Sequence, residues 1–244
     1  MAVNEWGNVN EDLMRMKYKE TSPKFNHIRD ILNSLHEDLL EEWFKDEDGE
    51  YSFEAFEKTL QFQIGDFKRR LLEDVNILCL DITNSYSKAL VHNHELKELN
   101  QLSEDYKVEM YWFQYNAQVA IRQIGTLEDY LYRYINVFNG YEIKQDINFK
   151  NTVKAKLRNN EKKEVVKELE FGIDKLKGYR DDITHNFNVF RNREAYKEKL
   201  ESGIDAIKVS DASINSPEQF IEDFEGIIEQ IVGKYENVFR LNRQ

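Results

Sequence analysis

Phe67-Lys68-Arg69-Arg70-Leu71-Leu72-Glu73-Asp74-Val75-Asn76-Ile77-Leu78-Cys79-Leu80-Asp81-Ile82 is the stretch on which the fold turns. Phe67, Leu71, Val75, Leu78 and Ile82 recur at steps of four and three. That spacing keeps them on one stripe of an α-helix. The stripe reaches back through Ile64, Leu60 and Phe56 and predicts one long helix over 53–99, with Ser52 as its N-cap. A second pattern follows: Val108, Trp112, Tyr115, Val119, Leu127, Leu131, Tyr134 and Phe138. It predicts a helix over 103–138, ended by Asn139-Gly140. The polar turn between the two helices is short, so they are expected to form an antiparallel hairpin.

Outward from the hairpin the same period returns. Residues 1–22 are polar and read as loose, and Pro23 opens a helix over 24–45 carrying Ile28, Leu32, Leu35 and Leu39. Residues 141–163 read as a connector with a short helix. A continuous helix is expected from Glu164, with Val165, Leu169, Ile173, Leu176, Ile183, Phe187 and Phe190 on its stripe. Residues 192–215 read as irregular. Ser216-Pro217-Glu218-Gln219 has a capping-box pattern and opens the last helix, whose stripe runs through Phe220, Phe224, Ile227, Ile231, Tyr235 and Val238.

Composition agrees with an all-α fold. The chain has 244 residues, 41% apolar and 33% charged, with 2 Pro and 10 Gly. Turn dipeptides are scarce. No apolar run approaches the ~18–20 residues of a membrane span. The N-terminus lacks the apolar segment of a signal peptide. Cys79 has no internal disulfide partner and reads as a buried core thiol. These features lead to an expectation of a cytoplasmic protein without membrane contact. The net charge of −12 argues against a broad electrostatic grip on nucleic acid. Local basic groups remain, among them Lys68-Arg69-Arg70, Arg122 and Arg158.

One segment resists a packing explanation: Tyr179-Arg180-Asp181-Asp182-Ile183-Thr184-His185-Asn186-Phe187. Position 180 falls where the stripe expects an apolar residue, and a buried guanidinium is costly unless paired. His185 lies five residues on, about 140° around a continuous helix. The pair can still line one cleft, because Arg is long and Gly178 can restart the helix. A two-fold dimer packing this edge would bring two Arg–His pairs together.

Arg180, a polar residue, and His185 after four intervening residues resemble the Arg–His motif of HEPN domains. A long helical hairpin, a motif-bearing helix and a closing helix follow the same order. The resemblance covers roughly residues 52–242 and implies an all-α HEPN-type bundle over 52–244, with 1–51 as an N-terminal helical extension. It further implies a homodimer acting as a metal-independent endoribonuclease in toxin or antiviral defence, with RNA as substrate and an inhibitor or antitoxin protein as a further partner. Arg180 and His185 would be the catalytic pair, Asp181 the supporting polar residue, and no cofactor or metal is called for. Phe187 stands where some HEPN toxins carry a Tyr that a partner enzyme modifies, so that control is not expected. The alternative is a noncatalytic HEPN-type module that binds RNA, nucleotide or protein.

Three further stretches carry lesser signals. Asp46 to Glu57 resembles a calcium loop but has Tyr51 where the turn needs Gly, so an acidic turn is the better reading. His92 and His94 face apart on a helix and are expected to be exposed near its end. Tyr111-Trp112-Phe113 and Tyr130, Tyr132 and Tyr134 have the chemistry to stack bases, yet at helical spacing they read as core.

Overall fold

A computed structural model describes residues 10–44, 60–181, 183 and 216–243. All regular structure among these residues is helical: α1 (Glu11–Thr21), a 3-10 turn (Ser22–Phe25), α2 (Asn26–Phe44), α3 (Leu60–Leu96), α4 (Glu104–Phe138), α5 (Phe149–Asn159), α6 (Lys163–Glu170), α7 (Asp174–Asp181) and α8 (Pro217–Asn242). No helix among them is long and apolar enough to cross a membrane. The acidic turn of Asp46 to Glu57, the Ser52 cap and the 51/52 boundary lie outside the described residues.

The expected hairpin is present. His92 meets Glu109 and Asp74 meets Tyr130, so residue numbers on α3 rise as those on α4 fall. The turn between them is capped by Ser103, whose Oγ accepts from the Tyr106 N–H at 3.1 Å. Gly140 ends α4 at φ +61°. The Tyr141 N–H returns to the Asn136 carbonyl (3.0 Å) and the Gly140 N–H to that of Val137 (3.2 Å), which satisfies two otherwise orphaned carbonyls. At the start of α8 the Ser216 Oγ accepts from the Gln219 N–H at 3.1 Å. The Gln219 side chain does not close the box; it donates to Asp223 instead.

The residues fall into two compact units. One comprises 1–23, 81–125 and 172–230 and is centred on buried rings. Tyr86 lies 4.6 Å from Phe224, and Phe220 takes Phe113 and Tyr179 edge-on. The other comprises 24–80, 126–171 and 231–244. It buries Ile28, Val75, Cys79, Leu131, Val153 and Tyr235. Here the Tyr235 hydroxyl donates to the Leu127 carbonyl at 2.6 Å.

Four expectations need correction. Residues 11–21 are helical: the Asn10 side chain caps the Leu13 N–H, and Glu11 and Asp12 in the first turn suit the helix dipole. Pro23 sits in a 3-10 turn, and the α-helix expected over 24–45 begins behind it at Asn26. Phe67, Val108 and Tyr115 are exposed although they lie on the expected stripes. On α4 the buried face carries Phe113, Ala117, Ala120, Ile121 and Ile124, and its alanines are too small to dominate a pattern read by bulk. The helix expected from Glu164 is broken, since α6 stops at Glu170 with Phe171 extended at ψ 108°.

The buried acids predict a weakness to alkali. Burial pushes the Cys79 thiol up to about 12. Burial, with Glu128, Asp129 and Glu170 adding to it, pushes the Tyr132 phenol up to about 12 as well. Burial also raises Tyr86 and Tyr235. Above their ordinary values the unfolded chain has lost protons that the native chain still holds. Stability is therefore intact below about pH 8.5 and falls as pH climbs towards 12. The urea midpoint is expected to be lower at about pH 10.5 than at about pH 8; equal midpoints would refute the linkage.

Candidate functional site

Arg180 belongs to α7, a two-turn helix held by its buried face. Ile173, Leu176, Tyr179 and Ile183 are all buried. Tyr179, not position 180, continues the stripe from Leu176 to Ile183, which corrects the sequence register by one residue. Arg180 thus stands at the edge of the buried face, half-buried, in the last turn of α7, where its positive charge complements the helix dipole. Asp181 is exposed. His185, with Thr184 and Phe187, lies outside the described residues, as do the 192–215 segment and Phe190.

Two residues, Tyr179 and Lys175, tie α7 to α8. The Tyr179 hydroxyl donates to Asp223 Oδ2 at 3.0 Å, and its ring meets Phe220 edge-on at 5.5 Å. Lys175 forms an ion pair with Asp223, and Gln219 donates to the same carboxylate. The donors from Lys175, Tyr179 and Gln219 hold the Asp223 carboxyl below the usual carboxylate range, against the opposing effect of partial burial.

Gly125 of α4 supplies a seat for Arg180. A Cβ placed at Gly125 would lie 3.0 Å from Arg180 Cδ, 3.1 Å from Nε and 3.3 Å from Cζ. The end of the Arg side chain therefore lies directly over the bare helix backbone. Glycine in a helix interior costs roughly 0.5–1 kcal/mol relative to alanine, so close approach is its use here. Gly125 went unread in the sequence, because a single glycine in a helical pattern carries no signal of what lies against it.

His92 departs from expectation. Only 4% exposed, it places Nδ1 2.6 Å from Glu109 Oε2. His94, two residues on, is exposed, as residues on opposite helix faces should differ. Trp112 stacks on the His92 ring, with centroids 6.5 Å apart at 21°. Of the aromatic residues weighed in the sequence, Phe113, Tyr132 and Tyr134 are buried, while Tyr111 is exposed. Among the described residues no three His, Cys, Asp or Glu side chains converge to hold a metal ion. No protein-family model, curated protein or solved structure matches the chain.

Proposed function

We propose that this chain is a metal-independent endoribonuclease of the HEPN type, a cytoplasmic homodimer acting in toxin or antiviral defence. The observation that supports the reading is the seating of Arg180. Its side chain is set over Gly125 at the end of a helix that Tyr179 and Lys175 anchor to Asp223. A guanidinium so held is preorganised to meet charge that develops on a phosphate.

RNA carries its own nucleophile. In the proposed reaction His185 takes the proton of a 2′-hydroxyl, the 2′-oxygen attacks the adjacent phosphorus, and the P–O5′ bond breaks. The leaving 5′-oxygen receives a proton from an imidazolium. The products are a 2′,3′-cyclic phosphate and a 5′-hydroxyl. An imidazole titrates near neutrality and can serve in both transfers. Arg180 presents a fork of donors to the phosphate oxygens. Asp181 is the supporting polar residue of the motif.

The test is RNA cleavage by purified protein in EDTA, with wild type beside His185→Ala and Arg180→Ala and with product ends analysed. Wild type is expected to yield cyclic-phosphate ends, and each variant to lose roughly 10²-fold or more of the rate while remaining folded. No cleavage of several RNAs by a folded dimer would reject the enzyme reading in favour of a noncatalytic binding module.

A further inference from the structure

The face of α4 that seats Arg180 carries exposed Tyr111, Tyr115 and Arg122, with half-buried Gln118 between them and buried Gly125 at its end. Tyr111, Tyr115, Gln118, Arg122 and Gly125 follow one another at steps of four and three. At about 100° and ~1.5 Å per residue they lie within one arc of roughly 80° and extend about 21 Å along the helix. Tyr111 is 59% exposed and Tyr115 51%. Both rings meet Trp112 edge-on, at 5.3 Å and 77° and at 5.8 Å and 83°. Trp112 rests on the buried His92 ring, which Glu109 holds. The two open rings therefore stand on a braced base.

We propose that Tyr111 and Tyr115 form a stacking platform for the bases of single-stranded RNA whose backbone continues along this row to Arg122 and Arg180. The choice of RNA rests on the nuclease reading. The row itself favours that class of ligand. It passes from aromatic faces to guanidinium groups, which complements a polymer of bases and phosphates. An apolar partner helix would need apolar contacts at every turn, and beyond Tyr115 it would meet Gln118 and exposed Arg122. Beyond Tyr111 the arc continues to exposed Glu104 and Lys107, which pair with each other at 2.6 Å and leave that end without net charge. With a net charge of −12, the chain cannot hold RNA by charge alone, and stacking supplies a sequence-tolerant term.

The experiment titrates the full chain into a fluorescein-labelled single-stranded 2′-O-methyl oligonucleotide, which lacks the nucleophile and reports binding without cleavage. Tyr111→Ala/Tyr115→Ala is expected to bind about 10-fold or more weakly, and Tyr111→Phe/Tyr115→Phe to bind like wild type, because the ring and not the hydroxyl stacks. The logarithmic salt slope is expected near −1.4, as for about two neutralised phosphates on a single strand. Equal binding by the alanine variant would overturn the platform, as would an equal loss in the phenylalanine variant or no binding by wild type. Sedimentation that turns from dimer to monomer in the alanine variant, with RNA binding unchanged, would overturn it in favour of an interface between copies. Binding that follows this pattern while unmodified RNA stays uncut would reject the nuclease reading and leave the platform standing.

Discussion

Glu128→Ala lowers the unfolding free energy by about 3 kcal/mol, a large share of the 5–15 kcal/mol that holds a typical domain. The reason lies in Lys234, which is 2% exposed. Its ammonium has two acceptors, Glu128 Oε1 at 2.8 Å and the Phe171 carbonyl at 2.9 Å. Removing the carboxylate leaves a buried charge with one neutral partner. The effect sits at the lower end of the range for broken buried pairs, because the Glu128 side chain is itself 19% exposed and the carbonyl remains. Removing both charges costs less than removing one. Glu128→Leu/Lys234→Met is therefore expected to be more stable than Glu128→Ala, since well-packed apolar pairs often match buried ion pairs. Urea denaturation of the single and double variants decides it. A Glu128→Ala protein within about 0.5 kcal/mol of wild type would show that the pair does not hold this unit together.

Gly125→Leu removes RNA cleavage by roughly 10²-fold without unfolding the protein, if Arg180 acts as proposed. The side chain would occupy the seat of the guanidinium and displace it by about an ångström or more, a shift of the size that costs two orders of magnitude in a positioned site. The smaller Gly125→Ala separates activity from stability. Its Cβ would press on Cδ, Nε and Cζ of Arg180 at 3.0–3.3 Å, and the end of a flexible side chain can yield. Alanine also favours the helix by up to about 1 kcal/mol. The expected outcome is an unfolding free energy equal to or above that of wild type with a reduced cleavage rate. Wild-type cleavage by Gly125→Leu would show that the seat does not position a working residue.

Both predictions depend on features that differ in how visible they are along the chain. The α3–α4 hairpin, the Gly140 stop and the Ser216 cap were legible because each is local. A stripe, a left-handed glycine and a capping hydroxyl act within a few residues of themselves. The α1 helix was missed because its half-buried positions include Lys17 and Tyr18, whose apolar stems hide behind polar ends. The break after α6 was missed because Val165, Leu169, Ile173 and Leu176 keep a helical step across it. Its tertiary setting lies 63 residues away, where Lys234 takes the Phe171 carbonyl.

The candidate site divides in the same way. The sequence singles out Arg180 because position 180 reads as part of an apolar stripe, and Asp181 and His185 through the resemblance of the stretch to a motif; in the structure Tyr179 holds that stripe position and Arg180 stands beside it. The sequence also determined that the chain is helical and that its long helices pair antiparallel. Only the tertiary structure decided that Tyr179 holds the buried position, that Arg180 lies over Gly125, and that His92 is buried against Glu109 under Trp112. Helical periodicity fixes which residues share a face to within about one position. The identity of what faces them is set by residues 17 to 55 positions away, and no local pattern encodes that distance.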